Sequence, residues 1–348
     1  MDRKDVMSVL EELSGIFTSL PDYGIGKQAK IQCSLYIMNV LEDVLFNMDN
    51  NPFPRVVETL QTQIAFLKSN SDLAPLMIDQ ATSDILEKDL AQQTKILFEE
   101  AWTVYDKDTY EHSVQLIRDR LTASGFDADF FKGKTCFDGG CGTGRFALAM
   151  AELGAEKVVG VDMGGESLDF ARERAKEYGL STVEFIEYDV TLLDKWEDQS
   201  FDFVVSNGVL HHSVETERGL QEHFRITKIG GDFWIYLYGD GGFYWEVYDQ
   251  LKQMSSGISV EDTKNILRGF GLKQGTVYTF LDNIRAPIRK YYYTDQIVEM
   301  LKKQGPLSYK NLKGNSPIDD TEKVMASTYG REIFGPQGEV RILITRER

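Results

Sequence analysis

From Lys134 onward, short apolar runs alternate with segments of helical period, and that alternation restricts the chain to a parallel sheet covered by helices on both faces. Thr135–Asp138, Lys157–Asp162, Val183–Tyr188 and Phe201–Ser206 read as strands. Arg145–Leu153, Gly165–Tyr178 and about Glu215–Arg225 read as the helices among them. Gly230-Gly231 turns into a further strand at Asp232–Tyr238, and Thr294-Asp295 caps a helix running through Lys303. The end of the chain reads as two strands, about Val324–Ile333 and Val340–Thr345, with Gly335-Pro336-Gln337-Gly338 as the hairpin turn. The expected fold is a doubly wound α/β sheet closed by an antiparallel hairpin.

Residues 1 to about 125 have a different grammar. Val6, Val9, Leu10, Leu13, Ile16, Phe17 and Leu20 recur at spacings of three and four, which places them on one helix face. Ile31, Leu35, Met38, Leu41, Leu45 and Met48 form a second stripe, and Val56, Val57, Leu60, Ile64 and Leu67 a third. Asn50–Pro54, with two prolines, reads as a break. Further helical patterns run over Ile85–Trp102 and Thr109–Leu121, with Asp106-Lys107-Asp108 as a cap. The expected division is a helical region over 1–125 and an α/β domain over 126–348, interrupted at 239–293 by an aromatic-rich insertion.

Composition narrows the class of partner. With 42% apolar residues the chain can bury a substantial core. Its formal net charge of −17 opposes binding to a phosphate backbone or an anionic membrane, so neither is expected as a partner. No apolar run is long enough to span a membrane, and the first residues lack the apolar stretch of a secretory signal. Cys33, Cys136 and Cys141 include no CxxC pair, so neither a disulfide framework nor a metal site is expected. These features favour a cytoplasmic location.

The most informative stretch is Cys136-Phe137-Asp138-Gly139-Gly140-Cys141-Gly142-Thr143-Gly144-Arg145-Phe146. A strand ends in an acid, and glycines lead into a helix. Glycine permits positive φ and lets a ligand approach without a Cβ in the way. Such a ligand would lie over the carboxyl ends of the strands. The strict GxGxxG dinucleotide pattern fails, because its third glycine would fall on Arg145; counted from Gly142 and Gly144 it falls on Ala147, which meets only the looser form. Gly133-Lys134-Thr135 is no phosphate-binding loop, since Ala128 stands where the first glycine is required and a strand follows.

The acid-x-Gly-x-Gly-x-Gly loop is followed by Val158-Val159-Gly160-Val161-Asp162, Tyr188-Asp189-Val190, Phe201–Asn207, and Gly230-Gly231 before a strand. In these motifs, over roughly residues 130–240, the sequence resembles the class I S-adenosylmethionine-dependent methyltransferases. The likeness is to the small-molecule branch with a Gly-Val-Leu-His-His stretch after the fourth strand. The resemblance implies a Rossmann-like seven-stranded sheet and S-adenosyl-L-methionine as cofactor. It implies that Asp138, Gly139, Gly140, Gly142 and Gly144 meet the methionine part, and that Asp162 accepts the ribose hydroxyls. Met163 would pack on the adenine, Asp189 would accept its amino group beside a Val190 backbone donor, and Asn207 would lie under the amino-acid end. A strand-terminal aspartate can also simply cap the next helix. Asp202, at the start of its strand, reads as structural.

Methyl transfer from a sulfonium needs alignment first, and a base only where the acceptor loses a proton. His211 and His212 follow the fourth strand and are the candidate bases; one could instead orient the loop while the other packs. In the aromatic insertion, Tyr244, Arg285, Arg289 and Tyr292 are candidate acceptor contacts. Arginine suits an acceptor bearing a carboxylate or phosphate, whereas tyrosines suit a cationic one. Trp102, Tyr105 or Tyr110 could reach the cofactor. The expected activity is methyl transfer to oxygen or nitrogen, with sulfur as a further option, of a small molecule. The alternatives are a methyltransferase-like scaffold with a non-catalytic or protein-directed role, and a nicotinamide oxidoreductase. The N-terminal helices are a candidate lid or homodimer interface.

Overall fold

The computed structural model describes residues 1–69, 94–95, 97, 107–314 and 317–348. Most of the Ile85–Trp102 stretch, Asp106, and the candidates Trp102 and Tyr105 lie outside the described residues. The chain divides into two units. One holds the described residues of Met1–Lys88 with Gly241–Ala286 and Met325–Pro336; the other holds those of Asp89–Asp240 with Pro287–Val324 and Gln337–Arg348.

The second unit is built on a seven-stranded sheet. Its strands are β1 (Thr135–Gly139), β2 (Lys157–Asp162), β3 (Val183–Glu187), β4 (Phe201–Asn207), β5 (Thr227–Leu237), β6 (Leu307–Asn311) and β7 (Val340–Arg346), in the order β3-β2-β1-β4-β5-β7-β6. The first five are parallel, and β7 is antiparallel to both its neighbours. The order reverses between β1 and β4, which opens a crevice at the carboxyl ends of those strands. Both faces are covered. Cys136, Phe203 and Trp234 pack with the helix Arg145–Glu152 on one side, and Phe137, Val204 and Phe233 with the helix Thr216–Ile226 on the other.

Two expectations about strands need correction. The final antiparallel pair is β6 and β7, with Leu307 opposite Arg346. Val324–Ile333 is no strand; it spans the short helices Thr321–Ala326 and Gly330–Phe334, in the other unit from Met325 onward. Gly335–Gly338 therefore leads from a helix into β7 and closes no hairpin. The reason is physical. As an edge strand, β6 leaves Leu307 and Asn311 half-buried and the three residues between them exposed, so it lacks an apolar alternation to read. The paired apolar residues at 324 and 333 bury from helices instead. In addition, β5 starts at Thr227 and runs through Gly230-Gly231, with a register shift opposite Phe201 and Phe203. Asp202 is structural as expected: it accepts from the Thr135 amide at 2.9 Å and from Lys228 Nζ at 2.9 Å.

The helical unit follows its apolar stripes. The helix Arg3–Ser19 buries Val6, Leu10, Leu13 and Phe17, and its start is fixed by an Asp2/Asp5 capping box. Gly24–Leu45 and Phe53–Ser69 bury every residue of their stripes that lies within them. Phe243–Met254, Val260–Gly269 and Gln274–Phe280 complete the unit, followed by a π-turn over Leu281–Arg285. Among the described residues no helix is long and apolar enough to cross a membrane.

Candidate active site

The glycine loop is held from three sides. Gly140 and Cys141 donate to the Val161 carbonyl at 2.7 and 3.0 Å, which ties the loop to β2. From beneath, the buried Tyr110 hydroxyl donates to the Thr143 carbonyl at 2.7 Å. Gly140 and Gly144 both adopt φ of +80°. A Cβ on Gly140 would lie 2.3 Å from Val209, and one on Gly139, whose φ is unexceptional, would lie 1.9 Å from His223 Nε2. Gly142, at φ +50°, faces open space. The loop is thus closed from behind and open in front at Gly142, as a cradle for a ligand should be.

The acids are aimed by backbone amides. Asp162 accepts from Gly142 through Oδ2 and from Gly164 through Oδ1, each at 2.9 Å. Asp189 is exposed at the tip of β3, and its Oδ1 accepts from the Thr191 amide and hydroxyl at 2.7 and 2.8 Å. Asp138 is buried and accepts from the Ala147 amide at 3.0 Å. Burial, with the Asp162 charge beside it, pushes the Asp138 carboxyl up to about 7 despite that bond. Such a carboxyl is suited to a cationic ligand, which would return it to its ionised form. Met163 and Asn207 are half-buried, and Val190 packs in the core. Asn207 Oδ1 accepts from Trp234 Nε1 at 3.0 Å, which leaves its amide NH₂ as the end to offer.

Beyond β4 the geometry is less local. His212 is buried, with Nδ1 2.7 Å from the Ile288 carbonyl; a carbonyl only accepts, so this nitrogen carries the proton. Lys290 N donates to the His211 carbonyl at 3.0 Å, which stitches 288–290 to the histidine pair. His211 itself is fully buried, and neither ring nitrogen has a hydrogen-bond partner. Its ring lies 3.9 Å from that of Tyr238 and 4.1 Å from that of His212. Burial, then the charges at His212 and Arg289, hold it well below the usual imidazole range. Arg289 is therefore close to the histidine pair.

The other expected acceptor contacts are employed differently. Tyr292 donates from its hydroxyl to Glu217 Oε1 at 2.9 Å and bridges Gly239 through its backbone. Tyr244 and Arg285 belong to the helical unit. Tyr244 donates to Glu42 Oε1 at 2.9 Å, and the Arg285 guanidinium donates to the Ser255 carbonyl at 2.7 Å and to the Ile258 carbonyl. Sequence reasoning missed Tyr236 and Arg341 as parts of this rim. Tyr236 pairs with Asn207 across β4–β5 and with Arg341 across β5–β7. The Arg341 guanidinium lies 3.7 Å over the Tyr236 ring and pairs with Asp319 at 3.1 Å. No short motif marks these residues, because only sheet register unites them.

Comparison with known proteins agrees with this arrangement. Residues 130–280 match a family model described as a methyltransferase domain. Phosphoethanolamine N-methyltransferase 2 of Caenorhabditis elegans is 35% identical over 124 residues, covering 36% of this chain and 28% of that protein. The ubiquinone biosynthesis O-methyltransferase of Paracidovorax citrulli is 34% identical over 106 residues, covering 30% and 43%. The ubiquinone/menaquinone biosynthesis C-methyltransferase of Bartonella tribocorum is 27% identical over 179 residues, covering 50% and 65%. The chain thus spans less than half the length of the first two relatives and just under two thirds of the third. Their names span nitrogen, oxygen and carbon acceptors, so the shared stretch selects no one acceptor atom. The glycine cradle and the amide-aimed acids all lie within the stretch 130–280 that is similar to a methyltransferase domain.

Proposed function

We propose that this chain is an enzyme that transfers a methyl group from S-adenosylmethionine to oxygen or nitrogen, or alternatively sulfur, of a small acceptor bearing a carboxylate or phosphate. The observation that carries the reading is His211. A fully buried imidazole with both nitrogens unpartnered is costly unless a ligand completes it. It follows the tip of β4, next to the switch in strand order where a ligand is expected.

The bound donor would supply an electrophilic methyl group on a cationic sulfur. Asp162 would take the ribose hydroxyls, Met163 and Asp189 with Val190 the adenine, and Asp138, Asn207 and the glycine backbone the amino-acid end. Low proton affinity keeps His211 neutral at pH 7, so a ring nitrogen can take the acceptor's O–H or N–H proton as the methyl arrives. His212, fixed through Ile288, would position that ring. Arg289, beside them, would hold the acceptor's anionic group. Tyr244 and Tyr292 commit their hydroxyls, and Arg285 its two terminal nitrogens, within the protein, and the three receive no role here. A cytoplasmic location and pairing through the N-terminal helices belong to the same proposal; sedimentation of the purified chain checks the pairing.

The test is a screen of small metabolites for acceptor-dependent release of S-adenosylhomocysteine, repeated with His211→Ala at saturating donor. A base role predicts turnover lower by roughly 10²-fold or more with donor affinity unchanged. Full turnover of His211→Ala at every pH would leave alignment alone as the mechanism. Donor binding without turnover on any acceptor would instead favour the scaffold reading.

A further inference from the structure

The helical unit contains a carboxylate that no cationic side chain among the described residues neutralises. Glu42, on the helix Gly24–Leu45, is half-buried, and no cationic side chain among the described residues pairs with it. Its Oε1 accepts from the Tyr244 hydroxyl at 2.9 Å, the Tyr248 hydroxyl at 3.1 Å and, at the long limit, Asn283 Nδ2 at 3.5 Å. Three donors from two other elements thus fix one oxygen, while Oε2 receives no hydrogen bond among the described residues. Tyr248 is fully buried, and Tyr244 and Asn283 nearly so, so the fixing groups have little freedom. Asn283 comes from the π-turn Leu281–Arg285, an irregularity often retained where a side chain must be aimed. The surroundings are aromatic. The Tyr244 ring lies 4.9 Å from that of Trp245, 5.0 Å from that of Tyr248 and 5.5 Å from that of Phe334.

A staple between helices would satisfy both oxygens or use a neutral side chain. An uncompensated carboxylate costs desolvation, which raises its proton affinity here despite two tyrosine donors. We infer that the helical unit carries a recognition site for a ligand bearing a protonated amine, anchored on the open oxygen of Glu42 and walled by Tyr244 and its aromatic neighbours. A primary ammonium satisfies each element: its N–H donates to Oε2, its charge offsets the carboxylate, and aromatic faces accept a cation. The strongly acidic chain favours such a ligand at longer range as well. A neutral or anionic ligand leaves the charge unpaired. This inference stands apart from the methyl-donor reading and survives a failure to bind S-adenosylhomocysteine.

Phenethylammonium and its uncharged counterpart 2-phenylethanol are the probes, titrated into the full chain while the Trp245 indole N–H is followed by nuclear magnetic resonance. The wild type should respond saturably to the ammonium at matched ionic strength, and at least tenfold more weakly to the alcohol. Glu42→Gln keeps an acceptor for both tyrosines while removing the charge. It should lose roughly tenfold or more in ammonium affinity with an unchanged unfolding midpoint. Equal responses to the two probes, no saturable response, or full ammonium affinity in Glu42→Gln would overturn the site. Should that variant fail to fold, the probe pair on the wild type decides.

Discussion

The tips of β1 to β3 and the region beyond β4 solve the same problem by different means. At the first three tips each acid is aimed by backbone amides no more than 20 residues away. Asp189 takes Thr191, Asp138 takes Ala147, and Asp162 takes Gly164 and Gly142. Beyond β4 the polar groups are set by distant chain: His212 by Ile288, 76 residues on, Tyr236 by Arg341, and His211 by Lys290 at its backbone and by Tyr238 at its ring. Local aiming makes a site that survives variation elsewhere in the fold. In the proposed assignment, remote aiming lets the acceptor region vary while the donor region keeps its local aim; the relatives' names differ in the atom methylated.

Breaking the local side should have the largest effect. Gly140→Ala combines a left-handed backbone with a Cβ 2.3 Å from Val209. Chemical denaturation should show a loss of about 2–4 kcal/mol, with donor binding abolished; a stable, binding-competent variant would mean that the loop is not held from behind. Next comes Asp162→Ala. It removes one carboxylate serving two amides and, in the proposed role, a diol. Calorimetry should find S-adenosylhomocysteine weakened by about 1–3 kcal/mol. An unchanged dissociation constant would take Asp162 out of the donor site.

A smaller effect concerns pH. Burial pushes the Asp138 carboxyl up to about 7 in the folded protein from an ordinary 3.8, so the folded state holds the proton more tightly. That contribution to stability is complete below about 3.8 and disappears as pH rises through 7. Asp138→Asn should therefore melt no lower than the wild type at pH 5 and higher at pH 8, while binding the cationic donor less tightly. Parallel melting profiles for the two proteins would show that Asp138 is not buried as a proton-holding group. The smallest effect is expected for Tyr110→Phe. It deletes one bond to the Thr143 carbonyl, costs about 1 kcal/mol, and should leave acceptor selectivity untouched. Altered acceptor preference in that variant would blur the distinction between the two regions.

The same distinction explains what could be read from the chain. Strands β1, β2 and β4 are buried runs bounded by acids and glycines, so they and the acids proposed for the donor are legible in the sequence. The apolar stripes of the first three helices were equally legible, because helix period and burial coincide. Strand β6 was not, since a solvent-facing edge has no apolar pattern, and the stretch at 324–333 was mistaken for it. Arg285 and Arg289 look alike in sequence, four residues apart, yet the unit boundary falls between them. One caps carbonyls in the helical unit and the other adds charge near His211. Tyr244 drew notice as an aromatic, but its partner Glu42 lies some two hundred residues away and carried no mark of its own.

Cys141 sits inside the glycine loop, buried, with its thiol pushed well above the ordinary range by burial and by Asp138 and Asp162. Alkylating reagents attack the thiolate, so the closed loop should be silent to them. The chain therefore carries its own clock for loop opening: the labelling rate at that sulfur counts how often the cradle comes apart, and a ligand that seats there should slow it.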